Sequence, residues 1–127
     1  MLLGTDHDNA LTERILGCAI EVHRELGPGL LEPIYETALC CEFRSRDLPF
    51  RRQMAVPLYY KGELLGEYRP DIVVSDRVVV EIKAIAHLEP VHVAQVATYL
   101  RVLDLRVGLL LNFNTAVMKH GVRRVIR

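Results

Sequence analysis

Apolar residues in the first third of the chain recur at helical spacing. Ile15, Leu16, Ala19, Ile20 and Leu26, with His23 on the same stripe, follow the three- and four-residue period of a helix with one buried side. Thr12 carries the side-chain oxygen of an N-cap, Glu13 suits the positive end of the helix dipole, and Leu11 can staple to Leu16. The helix is therefore predicted to begin at Thr12, with residues 1–10 as a loose leader, and Gly27-Pro28-Gly29 ends it. Ile34, Tyr35, Ala38, Leu39 and Phe43 predict a second helix from Leu31 to Arg46, with Pro33 in the first turn, where a missing N–H costs nothing.

The period then drops to two. Arg51 to Tyr60 reads as a strand whose Pro57 implies an edge or a bulge. Lys61-Gly62-Glu63 reads as a hairpin turn, and Leu64 to Val74 as the return strand, broken near Arg69-Pro70. After a turn at Ser75-Asp76-Arg77, Val78 to Lys83 is a valine-rich run suited to a sheet interior. A third helix is predicted from Glu89 to Leu103, a buried strand from Arg106 to Phe113, and a short last strand from Gly121 to Ile126. Hairpins demand antiparallel pairs, whereas the strand–helix–strand passage from Val78 to Phe113 predicts one right-handed parallel crossover. The expectation is an α/β fold over residues 1–127 as a single domain, a mixed sheet flanked by helices.

Composition narrows the classes. The chain has 127 residues, 50% of them hydrophobic, which is enough for one packed core, and a charged fraction of 25% argues against disorder. Formal net charge is zero, so the overall field does not advertise a nucleic-acid partner. The charge is nonetheless uneven. Residues 1–48 hold nine acids and four bases, and residues 49–127 hold seven acids and twelve bases. Lys119, Arg123, Arg124 and Arg127 could form a phosphate-facing edge or an ordinary solvated one. Cys18, Cys40 and Cys41 are odd in number and lack a Cys-x-x-Cys pair, so they read as buried free thiols and not as disulfides or a zinc site. With no basic n-region, no apolar h-region and no run long enough to span a bilayer, the expected location is the cytoplasm.

Candidate chemistry lies on the strand Val78-Val79-Val80-Glu81-Ile82-Lys83. Strand alternation turns Glu81 and Lys83 to one face and Val78, Val80 and Ile82 to the other. Asp71 lies on the preceding strand, across a short turn, so hairpin pairing can bring it beside Glu81. Two carboxylates with an open side form a hard-oxygen site of the kind Mg²⁺ uses. Lys83 would orient an attacking water or stabilise charge in the transition state. An Asp followed at a variable gap by Glu-x-Lys recurs by chance, and the competing reading is a salt bridge from Lys83 to Glu81 or Asp71. Glu32 could add a carboxylate from the second helix, and His92, Gln95 and Tyr99 share one face of the third. Tyr59, Tyr60 and Tyr68 could stack on bases but are expected to be packing residues, and His23 is expected to be a core or interface histidine.

A resemblance extends this reading. Gly29-x-x-Glu32-x-x-Tyr35 resembles the signature of the small GxxExxY family, which is grouped with the PD-(D/E)xK nuclease superfamily. The match runs from Val22-His23-Arg24-Glu25-Leu26-Gly27-Pro28-Gly29 through Pro70-Asp71-Ile72-Val73-Val74, Val80-Glu81-Ile82-Lys83-Ala84 and His92-Val93-Ala94-Gln95 to Val107-Gly108-Leu109-Leu110-Leu111-Asn112-Phe113. It implies an α-β-β-β-α-β restriction-endonuclease-like core with Asp71, Glu81 and Lys83 as motif residues. Gln95-x-x-x-Tyr99 is similar to a motif of RecB-like nucleases beside the metal site, and Glu32 matches a helix acid that some members use as a further ligand. The implied activity is Mg²⁺- or Mn²⁺-dependent hydrolysis of DNA or RNA. Glu32, Asp71, Glu81 and the carbonyl of Ile82 would hold metal, Gln95 and Tyr99 would support catalysis, and His92 and Tyr35 would contact substrate. The alternative is a catalytically inactive module that acts through a partner or as a homodimer, since a lone neutral domain offers little surface to grip a duplex.

Overall fold

The computed structural model describes residues 6–127. Helix α1 (Asp6–Leu26) starts at Asp6 and not at Thr12. Thr12 lies inside it, where its hydroxyl donates to the Asn9 carbonyl at 2.9 Å. The added turn is held by tertiary contacts: Arg77 donates to Asp8 Oδ1 at 2.6 and 2.9 Å, and Arg124 donates to Asn9 Oδ1 at 2.6 Å. Only residues 1–5 of the expected leader lie outside the described residues.

Helix α2 (Glu32–Ser45) follows a tight loop. Gly29 adopts φ +105°, a region open to glycine. The Tyr35 hydroxyl donates to the Gly27 carbonyl at 2.5 Å and accepts the Leu30 N–H at 3.1 Å, while its ring stacks on Phe113 with centroids 4.5 Å apart. Tyr35 therefore ties the loop to the core. Tyr35→Phe keeps the stack and removes the hydroxyl from the partly buried Gly27 carbonyl and the Leu30 N–H. It is expected to cost about 1–2 kcal/mol, read as a lower urea midpoint at unchanged m.

The strands are β1 (Phe50–Arg52), β2 (Val56–Tyr60), β3 (Glu63–Tyr68), β4 (Ile72–Val74), β5 (Val78–Lys83), β6 (Val107–Asn112) and β7 (Val122–Ile126). Helix α3 (Pro90–Leu103) joins β5 to β6, which pair in parallel as the crossover requires. The other pairs are antiparallel, and the main sheet has the order β1-β4-β5-β6-β7. The two long strands expected over Arg51–Tyr60 and Leu64–Val74 are each broken in two. Gln53 at φ +55° interrupts the first and Arg69-Pro70 the second. Their outer halves, β2 and β3, leave the main sheet as a two-stranded ribbon, closed at Lys61-Gly62 with both residues at positive φ. Pro57 lies in this ribbon, and the register shifts between Leu58 and Tyr59, so edge and bulge are both present.

The sheet is covered on both faces. Val78, Val80, Ile82, Leu109 and Leu111 pack with Ile15, Leu39 and Phe43 of α1 and α2. Val73, Val79 and Leu110 pack with Val96, Tyr99 and Leu100 of α3. Burial on both sides explains why β5 and β6 read as unbroken apolar runs. His23 is a core histidine, its Nε2 2.8 Å from the Thr115 carbonyl. Cys18 and Cys40 are buried free thiols, whereas Cys41 is exposed. Tyr59 and Tyr60 are exposed on the ribbon and do not pack as expected, because β2 and β3 have no sheet neighbour beyond each other, whereas Tyr68 packs edge-on against Tyr99 of α3 with ring centroids 6.2 Å apart. None of the described helices is long and apolar enough to cross a membrane.

Candidate active site

Pairing of Ile72 with Val80 carries Asp71 directly opposite Glu81, just past the last rung of the β4–β5 ladder. Each carboxylate is held by the other strand's backbone. Glu81 Oε2 accepts the Asp71 N–H at 2.5 Å, and Asp71 Oδ2 accepts the Ile82 N–H at 2.8 Å. Glu81 and Lys83 alternate with Ile82, which is buried on the α1–α2 side, so the pair faces α3. The half-buried Lys83 lies within the field of both acids, yet no ion pair or side-chain hydrogen bond engages its ammonium among the described residues. The salt-bridge reading of this trio is therefore not realised.

Burial, and then the charge of Asp71, push the Glu81 carboxyl up to about 8. Burial also raises Asp71, opposed by its bond from the Ile82 amide. A carboxyl whose folded pKa exceeds its unfolded value binds more protons in the folded state. Its penalty is absent below 4.5, grows between 4.5 and about 8, and is complete above that. Without metal, stability should therefore fall as pH rises through this window. Glu81→Gln retains an oxygen for the Asp71 amide and removes the charge. In chelator it should be more stable than the native protein by on the order of 2 kcal/mol at alkaline pH and gain little at acid pH. Urea midpoints on both sides of the window check this, and parallel pH profiles would refute it.

A family profile described as the PD-(D/E)XK nuclease superfamily matches residues 9–125. The chain belongs to the PD-(D/E)XK nuclease superfamily. Neither a curated protein nor a solved structure matches it. Pro70-Asp71 and Glu81-Ile82-Lys83 read as the two halves of the motif in that name. The five-stranded mixed sheet between helices agrees with a restriction-endonuclease-like PD-(D/E)XK fold.

PD-(D/E)XK nucleases generally use divalent metals. Among the described residues no three His, Cys, Asp or Glu side chains gather around a common point for an ion. Mg²⁺, however, keeps several waters and is commonly held by only one or two carboxylates. Asp71 and Glu81 could supply those. The Ile82 carbonyl could add a third oxygen, because the N–H and C=O of one strand residue lie on the same edge and the Ile82 N–H points at Asp71. The donors are all hard oxygens, which fits Mg²⁺ or Mn²⁺ and not a thiolate- or imidazole-seeking ion.

The remaining expected residues fall in different places. Glu32 does not join the acidic pair: its Oε2 accepts the Ala84 N–H at 3.0 Å, tying the start of α2 to the chain just beyond Lys83. The α2 carboxylate facing the site is Glu36, one helical turn on. It is buried and its charge acts on both Asp71 and Glu81. Tyr35 is 0% exposed and both lone-pair and proton of its hydroxyl are used, so it cannot touch a substrate. His92 spends Nδ1 on the Glu89 N–H at 2.8 Å as part of a capping box at the start of α3. Tyr99 is buried, and burial, with Glu81 and Asp71 beyond it, raises its hydroxyl to about 12. Gln95 Nε2 lies 3.5 Å from that hydroxyl. Gln95 and Tyr99 line a groove of about 690 Å³ with Tyr68, Arg69, Val91 and His92, between α3 and the ribbon.

Sequence reasoning missed Gln53 and Arg52. Gln53 Nε2 donates to Glu36 at 3.0 and 3.1 Å and to Asp71 Oδ1 at 3.2 Å, and Arg52 Nε donates to Glu36 Oε2 at 2.6 Å. No local signal marks them, since their role depends on β1 pairing with β4. The basic C-terminal residues lie toward β7, at the opposite edge of the sheet from β1. Arg124 is bonded to Asn9, and Arg127 to Asp104 and the Leu105 carbonyl.

Proposed function

We propose that this protein is a nuclease that hydrolyses phosphodiester bonds of DNA or RNA with Mg²⁺ or Mn²⁺, and that it falls in the GxxExxY branch of its superfamily. The observation that carries this reading is the Lys83 ammonium, which has no ion-pair or hydrogen-bond partner among the described residues, on the same face as the backbone-anchored Asp71–Glu81 pair. A structural ion pair would satisfy the lysine. A site built for an anionic substrate leaves it free. The signature residues support the branch through physical roles: Gly29 makes the turn, Glu32 caps the Ala84 amide, and Tyr35 clamps the loop.

Asp71, Glu81 and the Ile82 carbonyl would hold the ion, and the Ile82 amide and Asp71 amide fix the two carboxylates in place. A divalent ion held there would supply Lewis-acid polarisation of a phosphoryl oxygen and would lower the pKa of a bound water. Lys83 orients that water and stabilises negative charge developing on the phosphoryl oxygens. Gln95 contacts the substrate from the groove wall with the buried Tyr99 hydroxyl behind it, and His92, with Nε2 not engaged in the cap, also lines the groove.

The test is a cleavage assay of the purified protein on single- and double-stranded DNA and RNA, with Mg²⁺, Mn²⁺ or chelator. Cleavage that requires the ion is expected. Cleavage unchanged by Asp71→Ala would sink the assignment. A failure to cut any of the four substrates, with no Mn²⁺ bound in calorimetry, would favour the inactive association module instead.

A further inference from the structure

Gln53 combines three features that packing does not require. It is exposed, yet its side chain turns inward to two carboxylates. It holds φ +55°, a left-handed conformation that L-residues other than Asn and Asp adopt at a cost. Its main chain is tied on both sides, with N–H to the Asp71 carbonyl at 2.9 Å and its carbonyl to Arg69 Nη1 at 3.0 Å.

The chemistry of its contacts is directional. Both oxygens of Glu36 and Oδ1 of Asp71 are acceptors, so only the amide nitrogen of Gln53 can face them; the reverse orientation would set oxygen against oxygen. The result is an alternating chain: the Arg52 guanidinium, the Glu36 carboxylate, the Gln53 amide, the Asp71 carboxylate and the Ile82 N–H. Asp71 is thus gripped at both oxygens, Oδ1 by Gln53 and Oδ2 by Ile82. Without Gln53 only Oδ2 would be fixed, and the two like-charged carboxylates would lose the donor they share.

From this geometry we infer that Gln53 is a positioning residue: it locks the Asp71 carboxylate in the orientation that binds the divalent ion, using Glu36 and Arg52 as its anchor. The inference rests on the metal-dependent reading of the site. Strained backbone at a position that supports a reacting group is a recurrent feature of functional sites. Partners that orient a ligand by hydrogen bonding commonly change metal affinity about 10–100-fold when removed.

Gln53→Gly removes the amide and also relieves the positive φ. Gln53→Met keeps the length and loses the donor. Each would be titrated with Mn²⁺ by calorimetry and assayed for kcat and KM, beside the unaltered protein. In both variants Mn²⁺ affinity is expected to fall about 10–100-fold, kcat to fall with little change in KM for nucleic acid, and the Tm of Gln53→Gly not to drop. A purely structural role would lower Tm and leave the affinity of the folded protein intact. Equal Mn²⁺ affinity and equal kcat in the unaltered protein and both variants would overturn the role of Gln53 and leave the nuclease reading standing. No Mn²⁺ binding by the unaltered protein would instead overturn the metal reading, and the role of Gln53 with it.

Discussion

Lys83→Met is expected to lower metal-dependent cleavage roughly 10²–10³-fold, the usual effect of removing one group that stabilises developing charge, while changing stability by less than about 1 kcal/mol. The two expectations belong together because of what Lys83 does not do. Its ammonium has no carboxylate or carbonyl partner among the described residues, so the substitution leaves no buried group unsatisfied. Methionine keeps most of the half-buried stem. The loss should fall on kcat, and Mn²⁺ affinity should be retained, since a cation near two ligands opposes a second cation and does not hold it. Asp71→Ala would also abolish cleavage, but less cleanly, because it strands the Ile82 N–H and frees Gln53. A kinetic comparison with equilibrium unfolding of the same variant decides the matter. Full activity in Lys83→Met, or a large loss of stability, would show that Lys83 is a structural residue.

Gly121→Ala is expected to destabilise the fold by about 3 kcal/mol, at the upper end for overpacking, which corresponds to a fall in Tm of about 10 °C or more. A Cβ at Gly121 would stand 2.0 Å from the Asn112 carbonyl oxygen and 3.0 Å from its carbon, and both are backbone atoms at the end of β6. Asn112 cannot yield freely. Its side chain donates to the Ile85 carbonyl at 2.9 Å and accepts the Ile85 N–H at 3.1 Å, and the next residue, Phe113, donates to the Lys83 carbonyl at 2.9 Å. The strain therefore reaches the chain leaving the candidate site. Gly108→Ala is the internal control. There the closest atom, at 2.4 Å, is the Cγ1 of the Val96 side chain, and the nearest backbone atom is 3.5 Å away. Val96 is buried and β-branched, so it also resists, but one methyl can give by a small shift of its helix where two atoms of the β6 main chain must move together, so the loss should be smaller. Thermal unfolding of the two variants side by side checks both size and order.

The parts of the fold legible in the sequence are those where one period runs without interruption. The strand expected over Val78–Lys83 is β5 residue for residue, and the helices expected over Leu31–Arg46 and Glu89–Leu103 differ from α2 and α3 only at their ends. In each, burial on a fixed face leaves a repeat in the chain. The ribbon was not legible. Arg51 to Tyr60 carries strand-forming residues throughout, and the break at Gln53 comes from a backbone conformation that no glycine, asparagine or aspartate announces. The first turn of α1 was missed for a related reason, since Arg77 and Arg124 hold it from distant parts of the chain.

For the site, the sequence by itself determined that Glu81 and Lys83 share a face and that Asp71 can meet them, because strand alternation and a short hairpin leave no other geometry. It also determined the superfamily, through motifs spread over most of the chain. The tertiary structure decided the rest. It left Lys83 without a partner among the described residues, turned Tyr35 and Glu32 to holding the loop and the strand end, and brought Glu36 and Gln53 to Asp71. Hydrogen bonds and charge act over a few ångströms in space, and sheet pairing brings together residues that are far apart in the chain. A carboxylate's partners are therefore set by β1 meeting β4 and α2 crossing above them, which no local pattern encodes.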